Sequence, residues 1–112
     1  MANAPIGILG GTFDPVHLGH LRLAQEAADR LKLEQVRLIP SGTPPHRGAP
    51  AAPAAARLAM VRLAVDGNAA FAADDRELRR PGPGYTVDTL TELRGEFGPS
   101  RPLCLLLGAD AF

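Results

Sequence analysis

Ile6-Gly7-Ile8-Leu9-Gly10-Gly11-Thr12-Phe13-Asp14-Pro15-Val16-His17-Leu18-Gly19-His20 is the stretch that decides the fold. Ile6 to Leu9 is a short apolar run closed by a glycine pair, the pattern of a buried strand feeding a loop. From about Leu18 to Leu33, apolar residues recur at Leu18, Leu21, Leu23, Ala24, Ala27, Ala28 and Leu31. That spacing predicts an amphipathic helix with Arg22, Glu26, Asp29 and Arg30 on its wet side. A buried strand, a glycine-marked turn and a helix make the opening unit of a parallel α/β sheet.

The rest of the chain repeats the unit. Val36 to Pro40 is a second strand candidate, stopped by its proline. Ser41 to Pro53 holds prolines 44, 45, 50 and 53 and is a long loop, and long loops in α/β domains tend to carry function. A helix is expected over Ala54 to Val65, with Leu58, Val61, Leu63 and Val65 as its apolar positions. Phe71 to Ala73 and Arg76 to Arg79 are weak strand candidates. After the breaker Pro81-Gly82-Pro83-Gly84, a helix runs from Val87 to about Phe97, with Thr86 as N-cap and Asp88 in its first turn. Leu103 to Leu107 is the last strand. The alternation predicts a doubly wound parallel sheet with helices on both faces, and such sheets bind ligands beyond the carboxyl ends of their strands. Gly10 to His20, Ser41 to Arg47 and Gly108 to Asp110 all follow strands, so they should gather along one edge. The chain stops at Phe112, a few residues past its fourth strand, with no helix to cover that strand, so a fragment incomplete at the C-terminus is expected.

Composition narrows the function classes. The 112 residues suit one small domain, residues 1–112, and 46% are hydrophobic, enough for a core. Twelve basic residues offset twelve acidic ones, which supplies no electrostatic footprint for a nucleic-acid polymer. No apolar stretch approaches the ~20 residues of a membrane helix, and no basic-then-apolar leader opens the chain. Cys104, the single cysteine, lies in the apolar run Leu103 to Leu107 and reads as an inert buried thiol in a reducing, cytoplasmic setting.

The chemistry concentrates in the first loop. Gly10, Gly11 and Pro15 would let the backbone approach a ligand closely and expose N–H groups. The N-terminus of the following helix favours phosphate through free amides and its dipole. His17 and His20, three residues apart, are neighbours on one face and can donate to phosphate oxygens as charge grows. Gly19 between them removes a side chain that would crowd the phosphates. Competing readings fit less well. Two histidines without a third ligand do not make a zinc site, the glycine spacing matches neither a Walker loop nor a dinucleotide fingerprint, and a purely structural turn leaves the histidines unexplained.

Gly11-Thr12-Phe13-Asp14-Pro15-Val16-His17-Leu18-Gly19-His20 resembles the signature of the His-x-Gly-His nucleotidyltransferase superfamily. The resemblance implies a Rossmann-like fold, ATP bound with Mg2+, and a catalytic pair, His17 and His20, that contacts the ATP phosphates and stabilises the transition state. It places Gly10, Gly11, Thr12, Phe13, Gly19, Gly108 and Asp110 at the ATP site as well.

Two further segments resemble bacterial nicotinate-nucleotide adenylyltransferases. They are Pro40-Ser41-Gly42-Thr43-Pro44-Pro45-His46-Arg47 and Gly84-Tyr85-Thr86-Val87-Asp88-Thr89-Leu90, and Gly108-Ala109-Asp110 matches a strand-end loop of the same enzymes. The resemblance implies nicotinate mononucleotide as the second substrate, with His46, Arg47, Tyr85 and Thr86 around it, and allows a homo-oligomer. On local sequence alone alternatives stay open. Tyr85 and Thr86 also suit a plain cap with a packing aromatic, His46 and Arg47 a solvated loop, and Asp110 a lone strand-end acid. Three departures stand out. Ala56 replaces a histidine common before the arginine that opens the second helix, Gly84 a common serine, and the C-terminal Ser/Thr-rich motif with arginine is absent.

Overall fold

Burial on both faces of the strands sets the architecture, with Ile6 to Leu9 buried in succession. The computed structural model describes residues 4–42, 51–82 and 85–107. The elements run β1 (Ile6–Gly11), α1 (Leu18–Leu31), β2 (Gln35–Pro40), α2 (Ala54–Val65), β3 (Phe71–Ala73), α3 (Arg76–Arg79), α4 (Thr86–Phe97) and β4 (Leu103–Leu106). All three strand pairings are parallel and the sheet order is β3-β2-β1-β4. This is the Rossmann-like doubly wound sheet that the alternation and the resemblance imply.

Successive residues of a strand face opposite sides, and here each side meets its own helices. Leu9, Val36, Leu38 and Phe71 pack with Ala24 of α1 and with Val61 and Val65 of α2. Ile8 and Ile39 pack with Leu93 of α4, bordered by Leu90, Phe97 and Leu103. Gly7 belongs to the first side because nothing larger fits. A Cβ there would come within 2.7 Å of Leu33 Cδ1 and 3.1 Å of Val36 Cγ2.

Several sequence expectations are corrected. The Gly10-Gly11 pair lies inside β1, paired with Ile39 and Pro40, so it does not form the turn. Phe13 makes the turn instead, with φ of 51°. Arg76 to Arg79 is a helical turn, since Leu78 and Arg79 both donate to the Asp75 carbonyl. Leu63 is 77% exposed, because the buried stripe of α2 runs through Arg57, Val61 and Val65 at a spacing of four. Leu18 is equally exposed, at the very start of α1. Cys104 is only partly buried, because β4 forms an edge of the described sheet, where Leu105 and Leu107 are also exposed.

The order β3-β2-β1-β4 fixes where a ligand belongs. The chain builds outward from β1 through β2 to β3, then crosses back to place β4 on the other side of β1. The crevice of a doubly wound sheet opens at such a reversal, beyond the carboxyl ends of the strands. Here that is the end of β1, where Thr12 to His20 begins.

Candidate nucleotide-binding site at the end of the first strand

The loop after β1 is held from below by its aromatic residue. Phe13 adopts left-handed backbone geometry and turns its ring into the core, 2% exposed. The His20 ring meets it edge-on, with centroids 4.8 Å apart. Of the residues expected at an ATP site, Phe13 thus has only its main chain available to a ligand. Gly10 is exposed, and Gly11 and Thr12 are partly exposed, at the strand's mouth.

His17 and His20 form a reciprocal pair with the start of α1. His17 is the N-cap, in extended conformation, and its Nδ1 accepts the Gly19 amide at 3.0 Å. The His17 amide in turn donates to Nδ1 of His20, also at 3.0 Å. Two orphan donors of a helix start are thereby satisfied by two imidazoles, as in a capping box. An Nδ1 that accepts a main-chain N–H carries no proton, so each neutral ring carries its proton on Nε2. The rings lie with centroids 3.9 Å apart, tilted by 32°. The arrangement engages Nδ1 of both rings and lets the backbone set their tautomers.

This geometry reassigns two expected roles. The helix start does not offer a row of free amides. Gly19 donates to His17 Nδ1 and His20 to the His17 carbonyl, which leaves Leu18 as the only one of the first three without an acceptor among the described residues. Gly19 makes room for His17 rather than for a ligand, since a Cβ there would lie 2.8 Å from His17 Cε1 and 3.0 Å from Nδ1.

Of the second expected segment, Ser41 and Gly42 are described and follow β2 at the same end of the sheet. The Ser41 amide donates to the Gly11 carbonyl, so β2 ends beside β1, and the Ser41 hydroxyl is buried without a partner among the described residues. Helix α4 begins one residue earlier than expected. Tyr85 is its N-cap, with extended backbone and a carbonyl that accepts the Asp88 and Thr89 amides, and Thr86 stands in the first turn without a side-chain cap bond. Tyr85 and Thr86 are both exposed at this helix start. His46, Arg47, Gly108 and Asp110, with Ser41 to Arg47 only partly covered, lie outside the described residues.

A charged network joins the start of α4 to the sheet. The Thr89 hydroxyl donates to Glu77 of α3 at 2.5 Å and accepts from Arg80 at 2.9 Å. Gly42 lies against α3, where an added Cβ would meet the Glu77 carbonyl at 3.1 Å. Burial pushes the Glu77 carboxyl above its usual range, more than the Thr89 hydrogen bond and Arg80 pull it down. Deeper in, Asp74 pairs with Arg76 at 2.9 Å and Arg37 at 2.8 Å, and both arginines reach Glu96 of α4. Burial works against the Asp74 carboxylate, but hydrogen bonds from Arg76 and Arg37 outweigh it and hold the group below its usual range. Glu96 is lowered in the same way, by Arg37 and Arg76 against burial.

Sequence reasoning gave no role to Arg57 or Asp14. Arg57 is 1% exposed and donates to four main-chain carbonyls, of Thr12, Ser41, Gly42 and Ala52. The Asp14 carboxylate accepts the Ala51 and Ala52 amides. The available signal was periodic. A cation at position 57 heads the stripe continued by Val61 and Val65, so a charge on the buried face needed partners.

Residues 8–112 match the family model described as cytidylyltransferase-like. Among curated relatives, the chain is 56% identical over 111 residues to a probable nicotinate-nucleotide adenylyltransferase of Aeromonas hydrophila, covering 99% of this chain and 51% of the relative. It is 58% identical over 107 residues to the protein so named in Pseudomonas syringae pv. tomato, covering 96% of this chain and 48% of that one. The chain thus spans about half the length of the curated relatives it matches. Among solved structures, Plasmodium falciparum nicotinic acid mononucleotide adenylyltransferase complexed with NaAD superposes with a TM-score of 0.80 at 18% identity, over 96% of this chain and 53% of that one. That likeness supports the Rossmann-like fold.

Proposed function

The chain belongs to the cytidylyltransferase-like family, and on that premise we propose that it carries the catalytic histidines of a nicotinate-nucleotide adenylyltransferase acting in NAD biosynthesis. The observation that carries the reading is the reciprocal bonding of His17 and His20 with the start of α1, which fixes both imidazoles just past the carboxyl end of β1, where the strand order reverses. The names of the relatives at 56% and 58% identity support the choice of substrates.

In the proposed reaction a 5′-phosphate oxygen of nicotinate mononucleotide attacks the α-phosphorus of ATP. A new P–O bond forms, the bond from the α-phosphorus to the β-phosphate oxygen breaks, and pyrophosphate leaves with the electron pair. The nucleophile is already ionised, so no protein base is required. What the chain supplies is position and charge stabilisation, the main resources of phosphoryl-transfer catalysis. His17 and His20 donate to phosphate oxygens of ATP, with Gly10, Gly11, Thr12 and Phe13 shaping the approach through their main chain and Gly19 acting through the room it leaves for the His17 ring. Gly108 and Asp110 complete the ATP side, and His46, Arg47, Tyr85 and Thr86 face the pyridine nucleotide, where exposed helix-start amides suit a carboxylate. Magnesium enters with ATP as part of the substrate. Among the described residues there is no group of three or more His, Cys, Asp or Glu side chains that could hold a metal ion.

No helix of the described residues is long and apolar enough to cross a membrane. The free thiol of Cys104 suits a reducing compartment, and on that ground we propose the cytoplasm as its place. The test is single-turnover conversion by the full-length polypeptide, with MgATP or MgCTP and nicotinate mononucleotide. Dinucleotide and pyrophosphate should form from ATP, and His20→Ala should slow the step by about 10²-fold, the scale of losing one transition-state donor. Product from CTP alone, or an unchanged rate in the variant, overturns the assignment.

A further inference from the structure

A charged side chain with no surface is the strongest unexplained feature of the described residues. Arg57 lies on the inner stripe of α2 and is 1% exposed. Its Nη1 donates to the Thr12 carbonyl at 2.8 Å and to that of Ser41 at 2.7 Å, Nη2 to Gly42 at 3.3 Å, and Nε to Ala52 at 3.1 Å. Burying a guanidinium is costly, and apolar residues of similar volume often serve stability better. What the planar fork provides is simultaneous grip on several main-chain segments, which lysine's single ammonium cannot reproduce.

The gripped segments are informative. Thr12 begins the loop that leads to the histidines, Ser41 and Gly42 end β2, and Ala52 stands just before α2. Asp14 repeats the tie from the other side, accepting the Ala51 amide at 2.6 Å and the Ala52 amide at 3.0 Å. The Ala52 residue is therefore held twice, its amide by Asp14 and its carbonyl by Arg57. Directly after Thr12 comes Phe13, whose ring contacts that of His20 at a steep angle, and Asp14 stands three residues before His17.

We infer that Arg57, together with Asp14, is a positioning residue for the histidine pair. The guanidinium and the carboxylate clamp Thr12 to Asp14 against the segments at 41–42 and 51–52, and this clamp fixes the orientation of His17 and His20. Neither residue is assigned a contact with substrate. The inference rests on the proposed function for its kinetic consequence but not for its structural one.

The test uses Arg57→Lys and Asp14→Asn in the full-length polypeptide, the second serving if the first fails to fold. Long-range 1H–15N spectra of the imidazoles read the tautomers. The parent should show the Nε2–H form at both His17 and His20, and each variant should show mixed tautomers at both rings. In single-turnover and steady-state assays, kcat should fall about 10-fold with KM for ATP nearly unchanged, since misplacement of catalytic groups acts on the chemical step. Introduced into a His17→Ala/His20→Ala background, the same substitutions should cost almost nothing further, because both rings through which the clamp acts are gone. Unchanged tautomers in a folded variant overturn the inference, as do rate losses that multiply with the paired His17→Ala and His20→Ala substitutions. The spectra decide the positioning role even if the parent makes no dinucleotide, which would instead sink the functional reading.

Discussion

His17 and His20 lie with ring centroids 3.9 Å apart, and each accepts a main-chain amide on Nδ1. The same two side chains thus cap the helix and present its chemistry. Capping uses Nδ1 and leaves the proton on Nε2, so the structural and the chemical demands fall on different atoms of one ring. This division makes the two roles separable by substitution.

At position 17, asparagine and alanine should part company. Asparagine is among the strongest N-caps, and alanine among the weakest. His17→Ala should lower stability by about 1 kcal/mol through the lost cap, and His17→Asn should recover most of that. Both should slow adenylyl transfer, by about 10²-fold if the Nε2–H donor acts on the transition state. Thermal denaturation beside single-turnover rates checks the pair. Full activity in the stable asparagine variant would show that His17 is a cap and nothing more.

Gly19 tests whether the ring needs its space. An added methyl group would sit 2.8 Å from His17 Cε1, closer than real Cβ atoms approach. The imidazole must swing away, which frees the Gly19 amide and breaks the reciprocal pair. Alanine otherwise favours a helix over glycine by about 1 kcal/mol, so propensity and geometry oppose each other. Gly19→Ala is expected to lower the turnover rate about tenfold or more, the scale set by small misplacements of catalytic groups. Parent-like turnover with raised stability would mean that the ring relocates without consequence.

Most of the fold was legible because burial on both faces leaves continuous apolar strands, and Ile6 to Leu9 and Val36 to Pro40 read directly. Helix α2 matched from Ala54 to Val65, yet its faces were misread. Counting apolar residues put Leu63 inside, whereas the buried stripe is set by the fourfold spacing from Arg57. The His17–His20 pair was visible as a motif, but its tautomers depend on which amide each Nδ1 meets, a fact of three-dimensional geometry. Arg76 to Arg79 read as a strand because four residues hold too little periodicity to separate the two states. Arg57 and Asp14 were hidden for another reason. Periodicity could mark Arg57 as inward-facing, but the partners of both are main-chain groups, which carry no sequence signal.

The carboxylate of Asp74 gives an acid limit to stability. Its folded pKa is lowered, with hydrogen bonds from Arg76 and Arg37 outweighing burial. A lowered carboxylate contributes stability that is present above its unfolded pKa of about 3.9 and is lost as pH falls through the folded value. The melting temperature should therefore drop on acidification below about pH 4, and Asp74→Asn should flatten that drop. At pH 7 the substitution should cost about 1.5–3 kcal/mol, the scale of hydrogen bonds to charged groups, because Arg37 and Arg76 lose one carboxylate and keep Glu96. Denaturant titrations from pH 3 to pH 7 measure both effects. A parallel acid loss in parent and variant would assign it to other groups.

Glu77 carries the opposite sign. Burial raises its folded pKa above the ordinary value, despite the Thr89 hydrogen bond and nearby Arg80. A raised group contributes stability that is fully present below its unfolded pKa of about 4.3 and is lost as pH rises through the folded value. At neutral pH the ionised carboxylate therefore strains the junction of α3 and α4. Glu77→Gln keeps an oxygen to accept from the Thr89 hydroxyl and removes the charge. The variant should match the parent near pH 4 and become the more stable of the two as pH rises toward 7. Melting temperatures of both proteins across that range give the answer directly. A gap that stays constant, or closes as pH rises, would show that Arg80 neutralises Glu77 and that burial does not dominate there.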